Sequence, residues 1–165
     1  MAMVFSWVGD VALMFDRQYP ILFIVGLGGF LLAHLNYTYV FIRSGKRIYT
    51  ISRLAWIGIP LMMLYTVGLI SNLWPHLNEL KIPVFVYAIV LMFMGLAAVI
   101  RNTKVGYHWV LLGAILFVIS DSFLAVNKFI FPIEYSDVYI MTTYGLAQLF
   151  IVLGLSKLII SKDHK

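Results

Sequence analysis

The sequence predicts an all-α protein, a polytopic bundle of transmembrane helices. Of its 165 residues, 62% are apolar and only 12% are charged, whereas a soluble domain carries about 25% charged residues. The mean hydropathy is +0.96. The apolar residues also form continuous stretches of about 20 residues, the length that crosses a bilayer. A chain of this composition has too little polar surface to cover a water-soluble globule, so lipid is the expected solvent.

Six apolar stretches follow one another along the chain. Five have spanning length, at residues 20–42, 50–70, 82–100, 107–126 and 137–160. The remaining stretch, residues 1–15, is shorter, and it lacks the basic leader and small-residue cleavage site of a signal peptide. It also contains Asp10. We expect it to be a span whose N-terminal part is shortened or missing. The six spans together predict a single transmembrane domain over residues 1–165.

The loop charges predict the orientation of the spans. One side of the predicted membrane carries nine basic residues, Arg43, Lys46, Arg47, Arg53, Arg101, Lys104, Lys157, Lys162 and Lys165. The other side carries three, Arg17, Lys81 and Lys128. Because Lys and Arg collect in cytoplasmic loops, this bias predicts a cytoplasmic C-terminus. The expected location is a bacterial inner (plasma) membrane. The charge bias also explains the net charge of +5 without a nucleic-acid partner, which we do not expect.

Several kinds of site are excluded by composition and spacing. The chain has no cysteine, which rules out disulfides, thiolate metal sites and cysteine nucleophiles. Its four histidines, at positions 34, 76, 108 and 164, are scattered. There is no P-loop, no G-x-S-x-G motif and no dinucleotide fingerprint. We therefore expect neither a metal nor an organic cofactor.

The chain contains a weak internal repeat. Residues 9–13, Gly-Asp-Val-Ala-Leu, are echoed by residues 120–124, Ser-Asp-Ser-Phe-Leu. In each case the next span carries a second echo, Leu-Ala-His-Leu at 32–35 and Leu-Ala-Gln-Leu at 146–149. Four spans separate the two copies, so both have the same orientation, as in the parallel repeats of some transporters.

The two aspartates of this repeat are the first candidates for chemistry. Asp10 and Asp121 each lie six residues before a predicted span end, which places both about 9 Å below the outer helix ends. Ionisable residues are costly inside a span, so a functional role is the default interpretation. A structural hydrogen bond or a salt bridge to Lys128 or Arg17 is the alternative. Two neighbouring carboxyl groups in an apolar site divide their roles, one keeping its proton and one ionised.

Four polar residues inside the spans are candidates for substrate binding. His34 and Asn36 lie deep in the second span, where a histidine is either a proton carrier or ligand, or a buried hydrogen-bonding residue. Tyr144 and Gln148 lie one helical turn apart and share a face. They either contact substrate or form hydrogen bonds between helices.

Two further candidates, Asn127 and Lys128, stand at the predicted outer interface. The Lys128 ammonium is suited to a phosphate headgroup. The same side chain would also extend along apolar surface to reach water, as many interfacial lysines do.

Four segments resemble the signatures of the YhhN/TMEM86 family. They are Phe-Ser-Trp-Val-Gly-Asp-Val-Ala-Leu-Met at 5–14, Leu-Ala-His-Leu-Asn-Tyr at 32–37, Ser-Asp-Ser-Phe-Leu-Ala-Val-Asn-Lys-Phe at 120–129 and Tyr-Gly-Leu-Ala-Gln-Leu at 144–149. Their order and spacing match over essentially the whole chain. The segment at 120–129 is the most specific of the four.

The resemblance implies a multi-pass membrane protein of about eight spans that acts as a lysoplasmalogenase. Such an enzyme hydrolyses the vinyl ether of a lysolipid to a fatty aldehyde and a glycerophospho-base, without a cofactor. The two key aspartates of the family would be Asp10 and Asp121. The first two family spans, with their Lys-Pro motif, have no counterpart in this sequence. The expected partners are a lysolipid or another ether lipid and the surrounding membrane lipids.

Other functions fit some of the same residues. A small-molecule or proton-coupled transporter would also use intramembrane Asp, His and Gln and a parallel repeat. An intramembrane aspartyl protease would need Gly-x-Gly-Asp and Tyr-Asp motifs, whereas residues 7–10 read Trp-Val-Gly-Asp and residues 119–121 read Ile-Ser-Asp. A scaffold without chemistry is the remaining alternative.

The loop charges generate a test of topology. We expect a reporter enzyme that is active only outside the cytoplasm to be inactive when fused after Lys165. The same reporter fused into the 130–135 loop should be active, because that loop belongs to the side with few basic residues. Activity of the Lys165 fusion would contradict the predicted orientation.

Overall fold

Within the part of the chain that the structure describes, six α-helices form the bundle. The computed structural model describes residues 1–16, 18–45, 53–101, 103 and 105–163. Every regular element in those ranges is helical: α1 (Ala2–Met14), α2 (Ile21–Ser44), α3 (Arg53–Leu73), α4 (Lys81–Ile100), α5 (Tyr107–Phe129) and α6 (Ser136–Asp163). Two single 3-10 turns, Trp74–His76 and Asn78–Leu80, connect α3 to α4. The predicted all-α transmembrane bundle is confirmed.

Five of the helices, α2 to α6, are long and apolar enough to cross a membrane. The first helix, α1, has 13 residues and is therefore about 20 Å long, less than the roughly 30 Å of the hydrocarbon core. That α1 spans the membrane stays a prediction. The surface also suits lipid, because large apolar side chains such as Trp56, Leu64 and Ile82 are exposed on the outside of α3 and α4. The chain is a multi-pass membrane protein.

The helix ends differ from the predicted span ends. Helix α1 stops at Met14, whereas α5 continues three residues beyond its predicted end, to Phe129. The backbone N–H groups of Ile130 and Phe131 both donate to the carbonyl of Val126 and close this longer helix. As a result, Asp10 lies four residues and Asp121 eight residues from the helix end, about 6 and 12 Å. The expectation that both carboxyl groups lie about 9 Å from their helix ends was therefore wrong, because the two helices do not end at the predicted residues.

Some of the loop charges used to predict the orientation cannot be placed. Arg17, Lys46, Arg47, Lys104 and Lys165 lie outside the described residues, as do the side chains of Arg53 and Lys162.

The helices of each Asp-bearing pair are close neighbours. Helix α1 packs along α2, and α5 packs along α6; α2 also packs against α4, which in turn contacts α3 and α5. The centre of the bundle is filled by fully buried side chains, among them Phe41, Met94, Phe117 and Ile151. The two aspartates project from α1 and α5 beside this apolar centre.

Glycines allow the paired helices to approach backbone to backbone. A Cβ atom at Gly29 of α2 would lie 2.9 Å from the nitrogen of Gly9 and 3.0 Å from the carbonyl oxygen of Phe5, both in α1. A Cβ atom at Gly113 of α5 would lie 2.8 Å from the carbonyl oxygen of Ala147 in α6. Small residues drive helix association in membranes because they permit such contact. Gly9, the residue before Asp10, belongs to this contact and therefore helps to set the position of α1.

The glycine contact generates a prediction on stability. We expect Gly29→Ala to lower the unfolding free energy by about 1–3 kcal/mol, the usual cost of overpacking, because the added methyl meets backbone atoms. Gly28→Ala is the matched control: Gly28 is the preceding residue, and its Cβ would meet nothing within 4 Å. Thermal unfolding in detergent should therefore show a lower Tm for Gly29→Ala and an unchanged or higher Tm for Gly28→Ala. Equal Tm values for the two variants would contradict the close contact.

Candidate active site

A cavity of about 720 Å³ lies between α1, α5 and α6. Apolar residues such as Leu13, Phe30 and Ile140 form part of its wall, and its polar lining residues are Asp10, Asp16, Ser120, Asp121, Asn127, Lys128, Ser136, Asp137 and Tyr144. It reaches from the middle of α1 and α5 to the end of the bundle where residues 127–137 connect α5 to α6. Its volume falls within the range of ligand-binding pockets, about 300–1,000 Å³.

Asp10 is held by a chain of hydrogen bonds from α6. The hydroxyl of Tyr144 donates to Asp10 Oδ2 at 2.9 Å. The amide nitrogen of Gln148 in turn donates to the hydroxyls of Tyr144, at 3.2 Å, and of Ser6, at 3.1 Å. The hydroxyl of Tyr37, from α2, donates to the Gln148 amide oxygen. Both ends of the Gln148 amide are thereby satisfied, so its orientation and that of Tyr144 are fixed.

Two residues from other helices contact Asp121: Tyr87 of α4 and His34 of α2. The hydroxyl of Tyr87 donates to Asp121 Oδ2 at 2.6 Å. The Nε2 atom of His34 lies 3.4 Å from the same oxygen, and the side chains of His34 and Asp121 are 0% and 9% exposed. Asp121 also borders a narrow apolar crevice of about 40 Å³, lined by residues that include Leu91 and Ala88. This carboxyl group thus lies between a polar cavity and an apolar crevice.

The rim of the cavity is closed by an ion pair and a loop contact. The ammonium of Lys128 donates to Asp16 Oδ2 at 2.5 Å and lies 5.0 Å from the centre of the Phe23 ring. The backbone N–H of Ile133 donates to Asn127 Oδ1 at 2.8 Å, which ties the loop after α5 to that helix. The predicted alternative partner of Lys128, a carboxylate, is therefore present, but it is Asp16 and not Asp10 or Asp121.

The structure separates the predicted binding residues into two groups. Asn127, Lys128 and Tyr144 line the cavity with the two aspartates. Gln148 and His34 lie behind Tyr144 and Asp121 respectively, among the described residues that contact the site without lining it. Asn36 is outside the site: its side-chain amide donates to the carbonyl of Leu32, one turn earlier in α2, at 2.8 Å.

Tyr87, Tyr37 and Ser6 were not among the candidates selected from the sequence. Tyr87 is one of ten tyrosines, and its role beside Asp121 depends on how α4 packs on α5. Tyr37 and Ser6 become relevant only because both contact Gln148. A signal does exist for Tyr37, since it stands one turn after His34 and at the end of a family-like segment at 32–37.

The charges of the cavity are mostly negative. Four carboxyl groups line it, from Asp10, Asp16, Asp121 and Asp137, against one ammonium, from Lys128. Ionised carboxyl groups that share a site repel one another, and burial disfavours the charged form. The arrangement can therefore supply both a proton donor and an ionised carboxylate, the combination used for acid-catalysed bond cleavage through a cation. Within the described residues, no three His, Asp or Glu side chains are grouped to hold a metal.

Comparison with known proteins gives one family match over most of the chain. The model described as the YhhN family matches residues 1–155. Human lysoplasmalogenase TMEM86A is 33% identical over 165 residues, which cover 92% of this chain and 62% of that protein. Human lysoplasmalogenase TMEM86B is 32% identical over 155 residues, 93% of this chain and 61% of the relative.

A bacterial relative is similar over a shorter region. The lysoplasmalogenase of Mycobacterium tuberculosis (strain CDC 1551 / Oshkosh) is 33% identical over 134 residues, 80% of this chain and 50% of that protein. The chain thus spans half to about three fifths of the length of these relatives. No solved structure matches it.

Proposed function

Because the chain belongs to the YhhN family, we propose that it hydrolyses the vinyl ether bond of lysoplasmalogen-type lysolipids within the membrane. The products are a fatty aldehyde and a glycerophospho-base. Relatives named lysoplasmalogenase in human and in a mycobacterium support this activity, and the matched region, residues 1–155, contains both aspartates. The family match agrees with the resemblance of the four sequence segments to the YhhN/TMEM86 family.

One observation carries the proposal: Asp10 and Asp121 line the same cavity. Each also accepts a hydrogen bond from a tyrosine hydroxyl of another helix. Two oriented carboxyl groups on one cavity are what a reaction through an oxocarbenium ion requires, because one donates the proton and the other stabilises the cation.

The first step is proton transfer to the alkenyl chain. The acid gives its proton to the second carbon of the chain, so an O–H bond breaks and a C–H bond forms with the π electrons of the double bond. The first carbon and the ether oxygen then share the positive charge of an oxocarbenium ion. A carboxylate beside this cation lowers the barrier by direct electrostatic stabilisation in an apolar site.

The second step is addition of water. The water oxygen bonds to the first carbon and its extra proton passes to a carboxylate, which restores the acid and leaves a neutral hemiacetal. The hemiacetal hydroxyl then loses its proton while the glycerol oxygen gains one, and the bond between that oxygen and the first carbon breaks. Aldehyde and alcohol are released, with one water consumed and no redox change.

The shape of the site suits a lysolipid. Lys128 lies seven residues after Asp121, on the same face of α5 and about 10 Å along its axis. A phosphate that meets Lys128 at the rim would leave the glycerol unit in the cavity and bring the vinyl ether towards Asp121. The crevice behind Asp121, lined by Leu91 and Ala88, offers an apolar surface to the chain beyond the double bond.

The proposed location is a bacterial inner (plasma) membrane with the C-terminus in the cytoplasm. The cavity rim, at Asp16 and Lys128, lies at the end of the bundle opposite to the basic residues Arg43, Arg101 and Lys157. With those residues on the cytoplasmic side, the cavity would face the outer leaflet.

A transporter is the main competing function, and one experiment separates the two. Purified protein in detergent has no gradient to couple to, so release of aldehyde from lysoplasmalogen under these conditions supports a hydrolase. Lipid mass spectrometry after incubation with a panel of lysolipids would identify the substrate. If no lysolipid of the panel is consumed by the unmutated chain, the proposed function is wrong for this chain.

We expect Asp10→Asn and Asp121→Asn each to reduce turnover by about 10²–10⁴-fold, the usual contribution of a general acid. Asparagine keeps the shape of the side chain but supplies neither a carboxylic acid proton nor a negative charge. The rate of aldehyde release at saturating substrate is the measurement. Glu134→Gln is the control, because it also removes one carboxylate at this end of the bundle, from an exposed residue that does not line the cavity.

If the two aspartates act as one unit, the double variant should be little slower than the slower single variant. The mechanism would be contradicted if a folded Asp→Asn variant kept a turnover close to that of the unmutated protein.

The rim ion pair generates a prediction on substrate affinity. We expect Lys128→Ala to raise KM about tenfold with a smaller effect on kcat, because a charged hydrogen bond to phosphate contributes about 1.5 kcal/mol. Asp16→Asn should act in the opposite direction and lower KM, because it releases the Lys128 ammonium from its present partner. A higher KM for Asp16→Asn would show that the pair, and not the free ammonium, is needed at the rim.

A further inference from the structure

His34 is a buried histidine whose ring has one defined orientation. It is fully buried, and its Nδ1 atom faces the carbonyl oxygen of Phe30, one turn earlier in α2. A carbonyl oxygen only accepts hydrogen bonds, so Nδ1 must carry the hydrogen. The ring is also held edge-on by Phe117, at 4.7 Å between centres, and by Tyr87, at 5.4 Å. Neither the tautomer nor the orientation is free to change.

This arrangement leaves the Nε2 atom of His34 with a lone pair that faces Asp121. Nε2 makes no hydrogen bond among the described residues, although Asp121 Oδ2 lies only 3.4 Å away. A neutral histidine with its hydrogen on Nδ1 presents an acceptor at Nε2, and an ionised carboxyl group presents only acceptors. Two buried acceptors facing each other are unfavourable. One additional proton, on either partner, converts the contact into an attractive one.

We propose that His34 and Asp121 share this one proton, and that the sharing makes Asp121 the acid of the reaction. The inference rests on the proposed function and extends it, since it distinguishes the two aspartates. Asp121 lines the cavity and is the group that meets substrate. His34 acts through Asp121 and is a positioning residue.

The surroundings of Asp10 explain why the two aspartates have different roles in the proposed reaction. Both aspartates accept a hydrogen bond from a tyrosine, so the tyrosines do not distinguish them. Behind Tyr144 stands Gln148, whose amide neither gains nor loses a proton near neutral pH. Behind Asp121 stands His34, the side-chain type that titrates in this range. Asp10 is accordingly the carboxylate that stabilises the cation.

The proton can be followed through one turnover. Before reaction, the pair holds one proton between Nε2 and Asp121. Asp121 transfers it to the second carbon of the alkenyl chain, and the pair becomes a neutral histidine facing a carboxylate, with its two acceptors opposed. This state favours taking a proton back, and water supplies one when its oxygen bonds to the oxocarbenium carbon. The pair is then restored to its starting form.

A spectroscopic test needs no substrate. In protein labelled with ¹⁵N in its histidine rings and studied in detergent, His34→Gln identifies the His34 signals among those of the four histidines. We expect Nδ1 to carry hydrogen, and we expect the Nε2 signal to move in Asp121→Asn while moving far less in Asp10→Asn. The signals of His76 and His108, both exposed, should not change. A hydrogen on Nε2 with a bare Nδ1, or an Nε2 signal identical in wild type and Asp121→Asn, would overturn the proposal.

A kinetic test uses the same variants. We expect His34→Gln to lower kcat about 10²-fold, the lower end of what general acid catalysis contributes, with KM changed less than about twofold, because His34 does not meet substrate. Adding His34→Gln to Asp121→Asn should cost little more, since both act on one proton. His108→Gln is the control at an exposed site.

Together, the two tests distinguish failure of the shared-proton proposal from failure of the proposed function. Unchanged kcat in folded His34→Gln overturns the shared proton. Absence of hydrolysis in the unmutated protein instead counts against the proposed function, and the ¹⁵N spectra still decide whether His34 and Asp121 share a proton. If His34→Gln fails to fold, His34→Asn and the spectra of the unmutated histidine take its place.

Discussion

A carboxyl group inside an apolar bundle needs hydrogen-bond donors, and in this protein tyrosine hydroxyls from neighbouring helices supply them. Tyr144 of α6 holds Asp10 of α1, and Tyr87 of α4 holds Asp121 of α5. The same requirement organises the rest of the bundle, because Tyr37 of α2 donates to Gln148 of α6. The polar contacts that orient the site are therefore also contacts between helices. In lipid, where the hydrophobic effect does not drive helices together, such contacts and close packing determine the arrangement.

Residue chemistry made part of this site predictable. Asp10 and Asp121 stood out because ionisable residues are rare within apolar spans, and Tyr144 followed from its one-turn spacing to Gln148. Tyr87 could not be selected in this way, because its contact with Asp121 joins helices whose packing the sequence does not specify. His34 was selected as a substrate contact but lies behind Asp121, and Asn36 bonds to its own helix. The all-α membrane fold was readable from hydropathy, whereas the helix ends at Met14 and Phe129 depended on local hydrogen bonding.

The weak repeat acquires a physical meaning in the folded bundle. Each Asp-bearing helix packs along the helix that follows it, yet the polar residue of the repeat on that following helix supports the aspartate of the other copy. His34 of α2 faces Asp121 of α5, while Gln148 of α6 supports Asp10 of α1 through Tyr144. Two similar halves thus exchange partners across the bundle. The difference between a histidine and a glutamine at equivalent positions is enough to give two similar carboxyl groups unequal environments.

The contact of α1 with α2 through Gly9 and Gly29 has a consequence for how such a sequence can vary. At lipid-facing positions such as Trp56 and Leu64, one apolar side chain can replace another with little effect on the distance between helices. At Gly29, a single methyl group would meet the backbone of the helix that carries Asp10. Substitutions would therefore accumulate unevenly over the surface of this bundle, freely towards lipid and hardly at all where two main chains touch. The position of Asp10 here depends on residues that have no side chain.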